Sequence, residues 1–238
     1  MQKSKIVQQN LLFEKLGLNR NLGLSKITKV CKNLFGKEYD EKLGMWSEHL
    51  VFFAALSESK FKIRKILEIG TFNGETALIL QNLFASATIS TYDLSQKNLL
   101  NSHDYSYAFR KSDKFFIARD KLLNSKRINF IEKSSLNLIF SMGTFDLIWI
   151  DGNHLSPFTI ADLTNSIRLG SKSSFIICDD IYKRSPTYDN YADTSSFKYL
   201  TELSMLKLID VTYIQKRINQ NRKFFKPTKY IAIIRKSS

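Results

Sequence analysis

The chain predicts an α/β fold: a doubly wound, mostly parallel sheet with one antiparallel C-terminal strand and an N-terminal helical cap. Three observations carry that expectation. Short apolar runs at 63–69, 88–92, 128–132, 145–150 and 174–178 alternate with helix-like segments at 75–80, 114–123 and 157–168. Apolar strands alternating with helices make a parallel sheet covered on both faces. The last two runs, 206–213 and 229–234, are joined by a polar, basic loop with no crossover helix, which forces an antiparallel pair. Upstream, Ile6, Leu11, Leu12, Leu16 and Leu18 recur at helical spacing and 49–56 is a short apolar helix. The expected organisation is a helical cap over 1–60 and one α/β domain over 61–238.

Composition sets the outer bounds. At 238 residues, 43% of them hydrophobic and 24% charged, the chain can bury enough apolar surface for one full domain, which excludes wholesale disorder. Three prolines, nine glycines and no apolar run of about 18 residues exclude a collagen-like repeat and a membrane-spanning helix. Met1 to Lys5 lead into Gln8, Gln9 and Asn10 and not into an apolar core, so no secretory signal is expected. Cys31 and Cys178 stand in dissimilar contexts and read as reduced thiols, which points to the cytoplasm. Lys and Arg total 36 against 22 Asp and Glu, a net charge of +14 that steers anionic partners inward or serves only as a solvated surface.

The first strand–turn–helix is where an open parallel sheet holds its ligand. Its sequence is Glu68-Ile69-Gly70-Thr71-Phe72-Asn73-Gly74-Glu75. The two glycines let the backbone pass close to a ligand and turn without a Cβ clash. The dinucleotide fingerprint is absent, because Phe72 and Glu75 stand where its second and third glycines would be, and no Gly-Lys-Ser/Thr follows for a phosphate loop. Asp93 ends the second strand, placed to accept both hydroxyls of a ribose. A nucleoside without a pyrophosphate satisfies both observations; a plain tight turn and a strand-end cap are the simpler alternatives.

These residues resemble the class I S-adenosylmethionine-dependent methyltransferases, Rossmann-like in fold, and within them the O-methyltransferase branch whose first motif reads E-I-G-T-x-x-G. The resemblance covers about 62–238 and includes the terminal antiparallel strand. It implies that Gly70 and Gly74 hold the methionine part of S-adenosylmethionine, that Thr71 and Asn73 belong to the same cofactor-binding turn, that Glu68 supports the loop, that Asp93 binds the ribose, and that Ser134 or Ser135 lies at the adenine. Many members carry an acidic residue at that last place, and this chain does not.

Asp151 follows the fourth strand, in Asp151-Gly152-Asn153-His154, and Asp179-Asp180 follow the fifth. Carboxylates brought together at one rim repel unless a cation or protons sit between them, and an all-oxygen set suits Mg²⁺ or Mn²⁺. The arrangement is similar to the metal site of cation-dependent O-methyltransferases, which implies a divalent ion on Asp151, Asp179 and Asp180. Such an ion lowers the pKa of an acceptor hydroxyl and orients it. The catechol-type relatives place a lysine base three residues after the first metal Asp; here His154 stands there, competent near neutral pH. Some bacterial sugar and natural-product methyltransferases share this I-D-G-x-H segment. His154 and Asp151 are the expected catalytic residues, while His49 and His103 read as structural.

The polar aromatic stretch over 181–191 is suited to line an acceptor site, and the acid-free basic run over 216–236 favours an anionic acceptor. The expected activity is O-methylation of a small hydroxylated molecule. An RNA methyltransferase and a non-catalytic nucleoside-binding protein are the alternatives. The helical N-terminus is suited to a lid or to a homo-oligomer surface.

Overall fold

The computed structural model describes residues 2–95, 113–184, 193–218 and 228–237. The helices are α1 (Gln2–Lys15), α2 (Arg20–Phe35), α3 (Glu48–Ser57), α4 (Glu75–Leu83), α5 (Asp113–Leu123), α6 (Phe158–Leu169) and α7 (Ser195–Met205), with a 3-10 turn at Ser135–Phe140. The strands are β1 (Lys65–Ile69), β2 (Thr88–Asp93), β3 (Ile128–Glu132), β4 (Phe145–Ile150), β5 (Gly170–Tyr182), β6 (Ile209–Gln215) and β7 (Lys229–Lys236). They form one sheet in the order β3-β2-β1-β4-β5-β7-β6. The first five are parallel, and β7 is antiparallel to both β5 and β6. The antiparallel strand is therefore inserted between its neighbours instead of closing the edge.

The register explains why one rim collects the functional groups. Tyr92 pairs with Ile69, Ile69 with Ile150, and Ile150 with Cys178, so these four lie in one row across the sheet. The next residue of each strand is Asp93, Gly70, Asp151 or Asp179. Parallel pairing thus places four residues far apart in sequence side by side at the carboxyl ends, where open α/β sheets bind ligands.

One face of the sheet is covered by α3, which is apolar all round and buried over Glu48–Leu56, as a helix packed on every side must be. His49 stacks on Trp149 with ring centroids 4.7 Å apart, and Phe52 meets Phe175 edge-on at 5.9 Å. Burial pushes the His49 imidazole down to about 3, so it is neutral and structural. Arg20 of α2 pairs with Glu48 through two hydrogen bonds of 2.8 and 2.6 Å, and Gln9 of α1 donates to the same carboxylate. The N-terminal helices share one hydrophobic core with the sheet. Among the described residues no helix is long and apolar enough to cross a membrane. Cys31 and Cys178 are free and buried.

Candidate active site

The glycine turn is built for close packing. Gly70 has φ +97°, and a Cβ there would come within 2.6 Å of the Asp151 carbonyl carbon, so the turn after β1 and the backbone after β4 can touch only through glycine. Gly74, at φ +81°, begins α4, and a Cβ would press within 3.1 Å of Leu123. Both glycines are thus required by the protein's own packing as well as suited to a ligand. Phe72 is left-handed too, at φ 48°, and its N–H donates to Asp93 Oδ2 at 2.9 Å.

Beneath the turn runs a chain of hydroxyls. Thr91 donates to Glu68 Oε2 at 2.5 Å, and Thr71 Oγ1 lies 2.6 Å from Thr91 Oγ1. Glu68 is fully buried, its Oε1 takes no donor among the described residues, and burial pushes its carboxyl up to about 8 while Thr91 pulls the other way. Glu68 therefore acts from below. The Thr71 side chain is also enclosed, its hydroxyl against that of Thr91. Asn73 Oδ1 accepts from Glu75 N–H at 3.1 Å within the turn, a local task.

Asp93 accepts the Phe72 and Leu94 N–H groups, one on each oxygen. Two backbone donors hold the carboxylate in place at the end of β2. The strand-end carboxylate thus stands beside the left-handed glycine turn at the rim. After β3, Ser134 accepts from Leu136 N–H at 3.3 Å, and Ser135 hydrogen-bonds Asp162 of α6, whose carboxyl burial raises to about 6. Both serines have local partners.

The acidic rim is the second half of the site. A register shift in β5 between Cys178 and Ile181, with Asp180 at φ 54°, forms a bulge that turns two successive carboxylates toward one place. Asp151, Asp179 and Asp180 come together there. The cation among them is supplied by the chain itself: Lys216 donates to Asp179 Oδ2 and, at 2.6 Å, to Asp180 Oδ1, while Lys229 donates to Asp180 Oδ2 at 2.5 Å. Lys216 is 6% exposed and Asp179 2%.

The electrostatics follow from this placement. Burial would raise Asp180, but Lys216, His154 and Lys229 hold it well below the usual carboxylate range. Burial would lower Lys216, and Asp179 and Asp180 hold it well above. Asp151 is pushed well above its ordinary value, by burial first and by Asp179 next. His154 Nε2 stands 3.4 Å from Asp151 Oδ1 and 4.0 Å from Asp180 Oδ2, one-third exposed.

A divalent ion does not fit this cluster as it stands. The expected ligands converge, but the ammonium of Lys216 holds the position between Asp179 and Asp180 that an ion would need. Among the described residues no group of three or more His, Cys, Asp or Glu side chains is arranged to hold a metal. Lys216 and Lys229 were legible only as members of a basic run. Their signal was the register, since Lys229 pairs with Tyr182 and Lys216 N–H donates to Lys229 O at 3.0 Å, which brings both to the end of β5. The expected acceptor loop over 181–191 lies outside the described residues from 185 onward, as do His103 and residues 219–227 of the basic run.

With this geometry in hand, comparison with known proteins is informative. Residues 67–181 match the family model described as a methyltransferase domain. Over that segment the chain is similar to a methyltransferase domain. The matched segment runs from β1 through β5 and contains the glycine turn, Asp93 and all three rim carboxylates. Solved structures share the methyltransferase fold. One is the O-methyltransferase TomG of Streptomyces achromogenes, involved in tomaymycin synthesis and bound to S-adenosylmethionine: 17% identity, TM-score 0.52, 96% of each chain covered. Another is the S-adenosylhomocysteine-bound methyltransferase PaMTH1 of Podospora anserina, at 18% identity and TM-score 0.53 over 91% of this chain and 88% of that one. A third is an rRNA methylase of Streptococcus thermophilus, at 12% identity and TM-score 0.51 over 82% of this chain and 99% of that one. No curated protein sequence matches the chain.

Proposed function

We propose that the protein methylates a hydroxyl of a small-molecule acceptor, with His154 as the base. The observation that carries this reading is the position of His154. Its Nε2 projects over the rim at 3.4 Å from Asp151, whose backbone the glycine turn touches. S-adenosylmethionine, when bound, supplies an electrophilic methyl group. In this reading Gly70 and Gly74 shape the cradle for it, Asp93 accepts the ribose hydroxyls, and Glu68 keeps the turn rigid from below. Ser134 and Ser135 border the adenine. His154 takes the proton from the acceptor hydroxyl, and Asp151, 3.4 Å from Nε2, orients the ring. The cap over 1–60 and the methyltransferase domain over 61–238 are proposed as one working unit, the cap covering the face opposite α6.

TomG, an O-methyltransferase of natural-product synthesis, supports a small hydroxylated acceptor. The test is S-adenosylhomocysteine release with hydroxylated acceptors by the native protein and by His154→Ala. The proposal expects turnover in the first and a loss of about 10²–10⁴-fold in the second; equal rates would remove His154 from the chemistry. The net charge of +14 favours a second reading, a polyanionic acceptor such as RNA. An affinity for RNA that falls steeply with salt, with methyl transfer to it, would establish that reading instead.

A further inference from the structure

We propose that the cation of the acidic rim is the protein's own Lys216, so that methyl transfer proceeds without a divalent ion and the acceptor needs no second oxygen for chelation. The argument rests on three placements. The first is the two-pronged contact of Lys216 with Asp179 and Asp180, side chains on adjacent residues that only the β5 bulge turns to the same side. The second is the fixing of Lys216 by its backbone: its N–H donates to Lys229 O, and its C=O accepts from Glu48 N–H, each at 3.0 Å. The ammonium is therefore not a flexible surface group that an entering ion could push aside. The third is Lys229, which donates to the other oxygen of Asp180, so both of its oxygens already receive an ammonium.

Charge balance agrees. Asp179 and Asp180 face two lysines, and Asp151 lies beside His154. A divalent ion entering this set would bring an ammonium and a metal charge together in a buried space. It would have to expel Lys216, and a buried ion pair that loses one partner is strongly destabilised.

The consequence for the substrate deepens the proposed function and rests on it. A chelated metal selects acceptors with two neighbouring oxygens. An ammonium already hydrogen-bonded to two carboxylates offers no such bidentate seat. Selection then falls to the hydroxyl presented to His154, and single-hydroxyl acceptors are turned over as well as vicinal diols.

The experiment reads metal binding directly and needs no turnover. Mn²⁺ is titrated into the native protein, Asp179→Asn and Lys216→Gln, and its free-ion electron paramagnetic resonance signal is followed. In the native protein and in Asp179→Asn the signal is expected to stay at the level of buffer. In Lys216→Gln, three carboxylates without their ammonium are expected to take up the ion, and the added change Asp179→Asn to abolish that uptake. Stoichiometric loss of the signal in the native protein, restored by Asp179→Asn, would overturn the proposal whether or not Lys216→Gln folds. A calorimetric titration with S-adenosylmethionine in EDTA separates the two readings. Failure to bind the cofactor while Mn²⁺ stays free would remove the methyltransferase chemistry and leave the lysine assignment standing.

Discussion

The two halves of the rim solve the problem of buried polarity in different ways. On the β1–β2 side the groups are close in sequence and joined by short hydrogen bonds: Glu68 to Thr91, Thr91 to Thr71, and Phe72 N–H to Asp93. Among the described residues Glu68, the deeply buried acid there, meets no cation, and burial favours its protonated form. On the β5–β7 side the acids meet cations from 36 and more residues away, and Asp180 is held ionised. A carboxyl under a turn is stabilised by a proton, a carboxyl at a bulge by a lysine. The first half is a local device and the second a product of topology.

The sharpest way to break the first half is Gly70→Ala. The new Cβ collides with the Asp151 backbone at a left-handed φ, so the variant is expected to lose about 3 kcal/mol or more, seen as a collapse of the thermal unfolding midpoint. The matching change in the second half is Lys216→Met. It strands Asp179 in a buried site, leaves Asp180 with Lys229 alone, and is expected to cost about 3–5 kcal/mol near neutral pH by urea unfolding. Asp180, depressed in the folded protein, contributes stability above its unfolded pKa and loses it as pH falls. Without Lys216 that dependence disappears or reverses, so the penalty should shrink toward pH 4; a pH-independent penalty would mean the lysine acts by packing alone.

His154→Ala separates chemistry from folding. At one-third exposure the change should move stability by no more than about 0.5 kcal/mol while activity falls as stated above. Glu68→Gln is the mildest and tests the proton. The Glu68 carboxyl titrates at about 8 folded against about 4.3 unfolded, so its contribution is full at acid pH and is lost as pH rises between those values. Glutamine should leave stability at pH 4 unchanged and raise it by about 1–3 kcal/mol at pH 8.5 relative to the native protein. A uniform loss at both pH values would mean that Glu68 is ionised in the fold.

What the sequence made legible follows the same division. The βα alternation, the glycine turn and Asp93 were readable because periodicity and turn chemistry act over a few residues. Strand β5 was read as ending at Cys178, since two aspartates argue against a buried strand; it continues to Tyr182 because Lys216 and Lys229 neutralise them. Helix α7 has no counterpart in the sequence pattern, and β7 lies between β5 and β6. Lys216 was visible as a charge and invisible as a partner, because nothing local distinguishes a lysine that will be buried by pairing two strands away. The carboxylates are legible in the sequence and the lysines that meet them are not, for that one reason.

The central claim is that the glycine turn and Asp93 hold S-adenosylmethionine beside a rim whose cation is a lysine. Calorimetric titration with S-adenosylmethionine in EDTA, on the native protein and on Asp93→Ala, tests it most directly. The account predicts one-to-one binding to the native protein, unchanged when Mn²⁺ replaces EDTA, and at least about tenfold weaker binding to Asp93→Ala, the loss of charge-assisted hydrogen bonds to the ribose. No heat of binding in the native protein, or binding that appears only with Mn²⁺, would contradict it.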